Sequence, residues 1–124
     1  MTALDPPIRP QAGVDRENAL EVRLEEGSEG PRVVFGGELD LAGAERAEAA
    51  LQDAQAPGTT LEVDLRGLTF MDSTGLKLLV ACRNRAAEDG GRLVVVVAEG
   101  AVRRLLELTG LDAEVELRLA DPTG

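Results

Sequence analysis

A chain of 124 residues with a formal net charge of −10 has the length of one domain and can bury an apolar core without staples. One cysteine, Cys82, and no histidine exclude a structural disulfide, a Cys/His zinc site and a histidine-based catalytic triad. Basic residues are scattered through an acidic chain that has two phenylalanines and no tyrosine or tryptophan, which disfavours a nucleic-acid surface and points to protein partners and an aliphatic core.

Residues 1–18 hold Asp5, Pro6, Pro7 and Pro10 and lack periodicity, so they read as a flexible N-terminal arm, with the folded domain over 19–124. No apolar h-region is present there, and no stretch approaches the ~20 apolar residues of a membrane span, so the expectation is a cytoplasmic protein without membrane contact. Leu20, Val22 and Leu24 alternate with Glu21, Arg23 and Glu25, which predicts a half-buried strand. A turn over 27–31 then leads to a second strand around Val33, Val34 and Phe35, making an antiparallel hairpin. Asp40 can cap a helix from about 42 to 55, with Ala44, Ala47, Ala50 and Leu51 toward the sheet, and Pro57-Gly58 stops it.

Leu61, Val63 and Leu65 predict a central strand that puts Glu62 and Asp64 on the other side of the pleat, a side that must be partly covered. A loop is expected over 67–72, then a helix from Ser73 to about 87. Its apolar stripe is Leu76, Leu79, Val80 and Ala87, with Lys77, Ala81, Asn84, Arg85 and Glu88 opposite. The β-branched run 93–97 reads as a buried strand. A helix with Val102, Leu105 and Leu106 follows, ended by Gly110, and Val115, Leu117 and Leu119 form a last edge strand. The order β-β-α-β-α-β-α-β predicts an α/β domain with a mostly parallel sheet and right-handed crossovers.

Within this frame Asp72, Ser73 and Thr74 open the helix that follows the central strand. A hydroxyl at a helix N-terminus suits an N-cap and equally a phosphate, because free N–H groups and the positive dipole end meet there. Asp72 is itself a good N-cap, which makes Ser73 the first helical residue and frees its hydroxyl. Lys77 lies four residues after Ser73, but it falls on the solvent side of the helix and no oxyanion-hole motif accompanies it, so a Ser-Lys nucleophilic pair is rejected. Gly67 and Gly75 belong to neither phosphate-binding glycine motif, and the dispersed acids lack EF-hand spacing, so no cofactor or metal is expected. Cys82 reads as a small buried filler.

Asp72-Ser73-Thr74-Gly75-Leu76 resembles the phosphorylation-site signature of STAS domains, specifically the small bacterial anti-sigma factor antagonists. Gly37-Glu38-Leu39-Asp40 is similar to that family's segment between the second strand and first helix, and Gly90-Gly91-Arg92-Leu93-Val94 to its turn into the fourth strand. The resemblance spans roughly residues 20–120. It implies the STAS fold, a mixed, mostly parallel sheet of about five strands with helices mainly on one face. It also implies a switch that is a substrate and not an enzyme. Unmodified, the chain would bind an anti-sigma factor, often itself an ATP-using serine kinase, and so release a sigma factor. Phosphorylation at Ser73 would end the complex, with Thr74 the alternative acceptor because many relatives carry a second serine there, and a PP2C-type phosphatase would reset the cycle. Expected contacts are Asp40, Asp72, Ser73, Thr74, exposed Lys77, Ala81 and Arg85, with exposed Leu78 an apolar anchor. Two other readings stand beside this one: a scaffold or accessory subunit of a signalling or lipid-transport assembly without phosphoswitching, and a small nucleotide-binding module.

Overall fold

The computed structural model describes residues 19–122, and the arm expected over 1–18 lies outside them. Strands β1 (Leu20–Glu26) and β2 (Pro31–Leu39) pair antiparallel, closed by a bond from the Gly27 N–H to the Gly30 carbonyl at 2.7 Å. Strands β3 (Thr60–Met71), β4 (Arg92–Val97) and β5 (Glu116–Leu119) then add in parallel, giving one sheet of order β1-β2-β3-β4-β5. Helices α1 (Ala44–Ala54), α2 (Ser73–Asp89) and α3 (Ala101–Thr109) make the crossovers. The expected order and strand number are those observed.

Strand periodicity sorts the two faces. Val33 and Phe35, Leu61, Val63 and Leu65, and Leu93, Val95 and Val97 share one face of the sheet, and Ala47, Leu51, Leu79, Cys82, Val102 and Leu106 of the three helices close over it in a single buried cluster. Burying one such Leu or Phe side chain contributes about 1.5–3 kcal/mol. No helix of the described residues is long and apolar enough to cross a membrane.

The other face carries charge in its middle. Glu62 and Asp64 of β3 are 6 % and 2 % exposed, between Arg32 and Val34 of β2 and Val94 and Val96 of β4. Arg32 Nε donates to Glu62 Oε2 at 2.7 Å, and Arg66 chelates Asp64 through Nε at 3.0 and 3.2 Å, Nη2 at 2.8 Å and its own backbone N–H at 3.0 Å. Burial pushes the Asp64 carboxyl up, but the Arg66 side chain, its N–H and the Arg32 charge outweigh that and hold it below the usual carboxylate range. Arg32 and Arg66 thus supply the partial cover that a central strand needs on its second face.

Three elements differ from the sequence expectation. The stretch 67–71 is strand, not loop: β3 stays paired to β2 as far as Leu39↔Met71. Two register shifts give β3 one extra residue at each, between Val34/Gly36 and Gly37/Glu38. Each bulge turns the pleat over, so burial falls on Leu65, Leu68 and Met71 at a spacing of three. Gly37 makes the irregularity possible, since its φ is +81° and a Cβ there would sit 2.0 Å from the Ala19 carbonyl oxygen. The first helix begins later than expected, because Leu41–Gly43 forms a 3₁₀ turn that brings Gly43 against Leu20, with room for no side chain. In α2 the stripe ends on Cys82 and Ala86, which are buried, while Ala87 is exposed.

Candidate functional site

Leu39 and Met71 are the last paired residues of two parallel neighbours, so the chain leaves the sheet at adjacent points, through Asp40 and Asp72. Each aspartate turns back on the N–H two residues ahead. Asp40 Oδ1 accepts from Ala42 at 3.1 Å and Asp72 Oδ1 from Thr74 at 2.8 Å. The Asp72 N–H also donates to the Leu39 carbonyl at 3.3 Å, fastening the α2 start to the end of β2. Two helical openings therefore lie side by side at one edge of the domain.

Asp72 is the N-cap of α2, extended at φ −112° and ψ −163°, and Ser73 is its first residue. Because the carboxylate takes the cap, the Ser73 hydroxyl is left out of it, on an exposed side chain. Gly75 then permits the close seat: a Cβ there would meet Met71 Cγ at 2.4 Å, Met71 Sδ at 2.6 Å and Leu39 Cδ2 at 3.1 Å. The signature residues thus divide the work, with Asp72 ordering the turn, Ser73 presented outward and Gly75 letting the helix approach the core. The positive end of the α2 dipole faces the same point, and α2 has no acidic residue in its first turn. In a chain without histidine, the exposed hydroxyl sits beside an Asp72 carboxylate already engaged with the Thr74 N–H.

The expected contact residues separate into three sets. Ser73 and Lys77 are exposed, and Asp72 and Thr74 are partly so. Asp40 is 8 % exposed with its carboxylate folded into its own turn, which makes it a positioning residue for the neighbouring opening. Leu78, Ala81 and Arg85, expected on the free side, instead line the seam with α1 beside Glu48, Leu51 and Gln52, and Arg85 Nη1 donates to Gln55 Oε1 at 2.7 Å. The helical spacing places them away from the sheet, but α1 lies on the same sheet face and covers that side.

Sequence reasoning also passed over the apolar surface around the site. Leu41, next to Asp40, is 79 % exposed; Phe70, three residues before Ser73, is 45 % exposed, and Leu108 of α3 78 %. Phe70 and Leu108 help line an open cleft of about 260 Å³ with Met71, Ala101, Leu105 and Arg104, between the end of β3 and α3. Leu108 alone left a readable signal, since it lies out of phase with Val102 and Leu106 on its helix.

Comparison with known proteins agrees with this fold. A family model described as "Mlab, STAS domain" matches residues 22–119. The chain is 31 % identical over 87 residues to the anti-sigma-B factor antagonist of Listeria monocytogenes, covering 69 % of this chain and 76 % of that one. With the anti-sigma-B factor antagonist of Staphylococcus aureus it shares 34 % over 80 residues, or 64 % and 74 % of the two chains. Among solved structures, an anti-sigma factor antagonist from Mycobacterium paratuberculosis superposes with a TM-score of 0.73 at 30 % identity, covering 82 % of this chain and 86 % of that one.

Proposed function

The chain belongs to the STAS domain family, in its anti-sigma factor antagonist branch, and on that premise we propose that it binds an anti-sigma factor while Ser73 is unmodified and releases it on phosphorylation at Ser73. The observation that carries the reading is the Ser73 hydroxyl, exposed at a helix start whose cap Asp72 already supplies. The names of the relatives support the partner class, a protein that itself restrains a sigma factor. On this reading the protein is the substrate of a serine kinase and of a PP2C-type phosphatase, catalyses nothing itself and works in the cytoplasm.

The physical consequence of the modification has two parts. A phosphate adds about −1.5 to −2 charges, which the helix N-terminus accommodates, so the fold persists. A partner surface that had covered a neutral hydroxyl must then desolvate a dianion beside Asp72 or find cations for it. A loss of about 2.8 kcal/mol is a hundredfold weaker complex. Asp72, Thr74 and Lys77 would frame the contact, with Leu41, Phe70 and Leu108 as apolar anchors around it and Asp40 holding the neighbouring turn.

The test is phosphopeptide mass spectrometry on the protein from its native cell. Trypsin, cutting after Arg66 and Lys77, releases residues 67–77 with Ser73 and Thr74 together, and fragmentation separates the two. Phosphate on Ser73 that is absent from Ser73→Ala supports the switch, and Ser73→Asp then weakens binding of the anti-sigma factor about a hundredfold. Absence of phosphate through growth and stress, with binding indifferent to Ser73→Asp, overturns it in favour of a constitutive scaffold.

A further inference from the structure

The outer edge of β1 has a pattern that fits a second copy of itself. β1 is the first strand of the sheet, with β2 on one side. The Gly27–Gly30 bond fixes the alternation of its ladder: Glu25, Arg23 and Glu21 exchange bonds with Arg32, Val34 and Gly36, so Leu20, Val22, Leu24 and Glu26 turn their N–H and C=O groups outward. Arg46 Nη1 takes the Leu20 carbonyl at 2.9 Å. Among the described residues that leaves the stretch 22–26 as the open edge, with Leu24 61 % exposed at its centre. Leu24 is paired with Val33 on the core side of the sheet yet lies beyond the cover of the helices.

We propose that two copies of this chain associate by antiparallel pairing of their β1 edges, centred on Leu24. In that register Leu24 bonds reciprocally with the partner's Leu24, and Val22 with the partner's Glu26. Arg23 then faces the partner's Glu25, and the symmetry makes the same pair twice. Within one chain Arg23 Nη2 lies 3.1 Å from Glu25 Oε2 and Arg32 Nη1 lies 3.4 Å from Glu25 Oε1, so Glu25 stays anchored by Arg32 while the 62 % exposed Arg23 turns across the edge. Competing registers fit less well. Centring on Val22 calls on the Leu20 edge that Arg46 occupies, and a shift by one residue sets outward groups against inward ones and turns the side chains to the wrong faces. The pairing covers Leu24, joins the two sheets into one and removes an edge that would otherwise accept any extended chain. A single strand pair is a small contact, of the weak and transient class.

Sedimentation velocity of the full chain from about 20 µM to about 1 mM reads the equilibrium in the range such a contact occupies. The expected result is a monomer–dimer transition within that range. Leu24→Lys, which places like charges across the axis, and Arg23→Glu each weaken it at least tenfold, and Arg23→Glu/Glu25→Arg restores part of it, the exchange also setting a cation beside Arg32. Far-UV circular dichroism of each variant verifies the fold, which these exposed positions leave intact. A monomer at every concentration overturns the proposal, and so does a dimer indifferent to Leu24→Lys and Arg23→Glu.

Discussion

Arg66→Met tests whether the buried carboxylate of β3 is held as the structure has it. Asp64 is 2 % exposed and loses three side-chain contacts of 2.8–3.2 Å, keeping only the bond from the Arg66 backbone N–H. Breaking a buried ion pair by removing one partner costs about 3–5 kcal/mol. Against a total stability of about 5–15 kcal/mol that is a large fraction, and it lowers the melting temperature by about 12–40 °C. Asp64→Asn/Arg66→Met removes the orphaned charge and regains at least half of the loss. Urea unfolding followed by far-UV circular dichroism is the assay, since the chain has no tryptophan or tyrosine.

The pH dependence adds a second readout with a defined sign. In the native protein the Asp64 carboxyl is held below its ordinary value of 3.8, so its contribution is present above that value and lost as pH falls through the lower, folded one. In Arg66→Met, burial is opposed only by the Arg66 backbone N–H and the Arg32 charge, so the carboxyl moves up from its native value. The deficit of the variant is then full above that raised value and narrows as pH falls from neutral into the acid range below 3.8, as the carboxyl becomes protonated in both proteins. A variant within about 1 kcal/mol of the native protein at neutral pH, or a deficit flat across that window, refutes the reasoning.

Gly75→Val forces a branched side chain into space held by Met71 and Leu39, where even a Cβ comes within 2.4 Å of Met71 Cγ. A destabilisation of about 1–3 kcal/mol is expected from urea unfolding, and an unchanged midpoint would show that the α2 start is not seated against the strand ends. Cys82 is 1 % exposed, and burial pushes its thiol up although the Arg85 charge opposes this. Its reaction with Ellman's reagent is therefore expected to be at least about a hundredfold slower in the native protein than in urea, and equal rates would contradict the burial.

How far the sequence could be read depended on whether a residue's role is local. Leu61, Val63 and Leu65, and the unbroken run 93–97, carry strand signals that tertiary packing only reinforces, and Asp72 followed by Ser73 gave both the helix start and the division of roles between cap and free hydroxyl. The bulges of β3 were hidden because Leu68 and Met71 follow Leu65 at intervals of three, a spacing that breaks the period of two by which a strand is read. Leu78, Ala81 and Arg85 were assigned by the turn of their own helix, which carries no information about a second helix laid alongside. Phe70 and Leu108 come together where a strand end meets a helix, and Leu41 is exposed in the turn after Asp40; of the three only Leu108, out of phase on its helix, could be read from the sequence.

The tie between the Asp72 N–H and the Leu39 carbonyl bears on how Ser73 can be read by an enzyme. A serine in an extended loop can be drawn into a cleft as a strand, whereas Ser73 is held in helical geometry with its neighbours pinned to the sheet. On the proposed function, a kinase that modifies Ser73 must accept a folded surface, so its selectivity would reside in shape as well as in the flanking letters, and the same residues as a free peptide would be a different and poorer substrate.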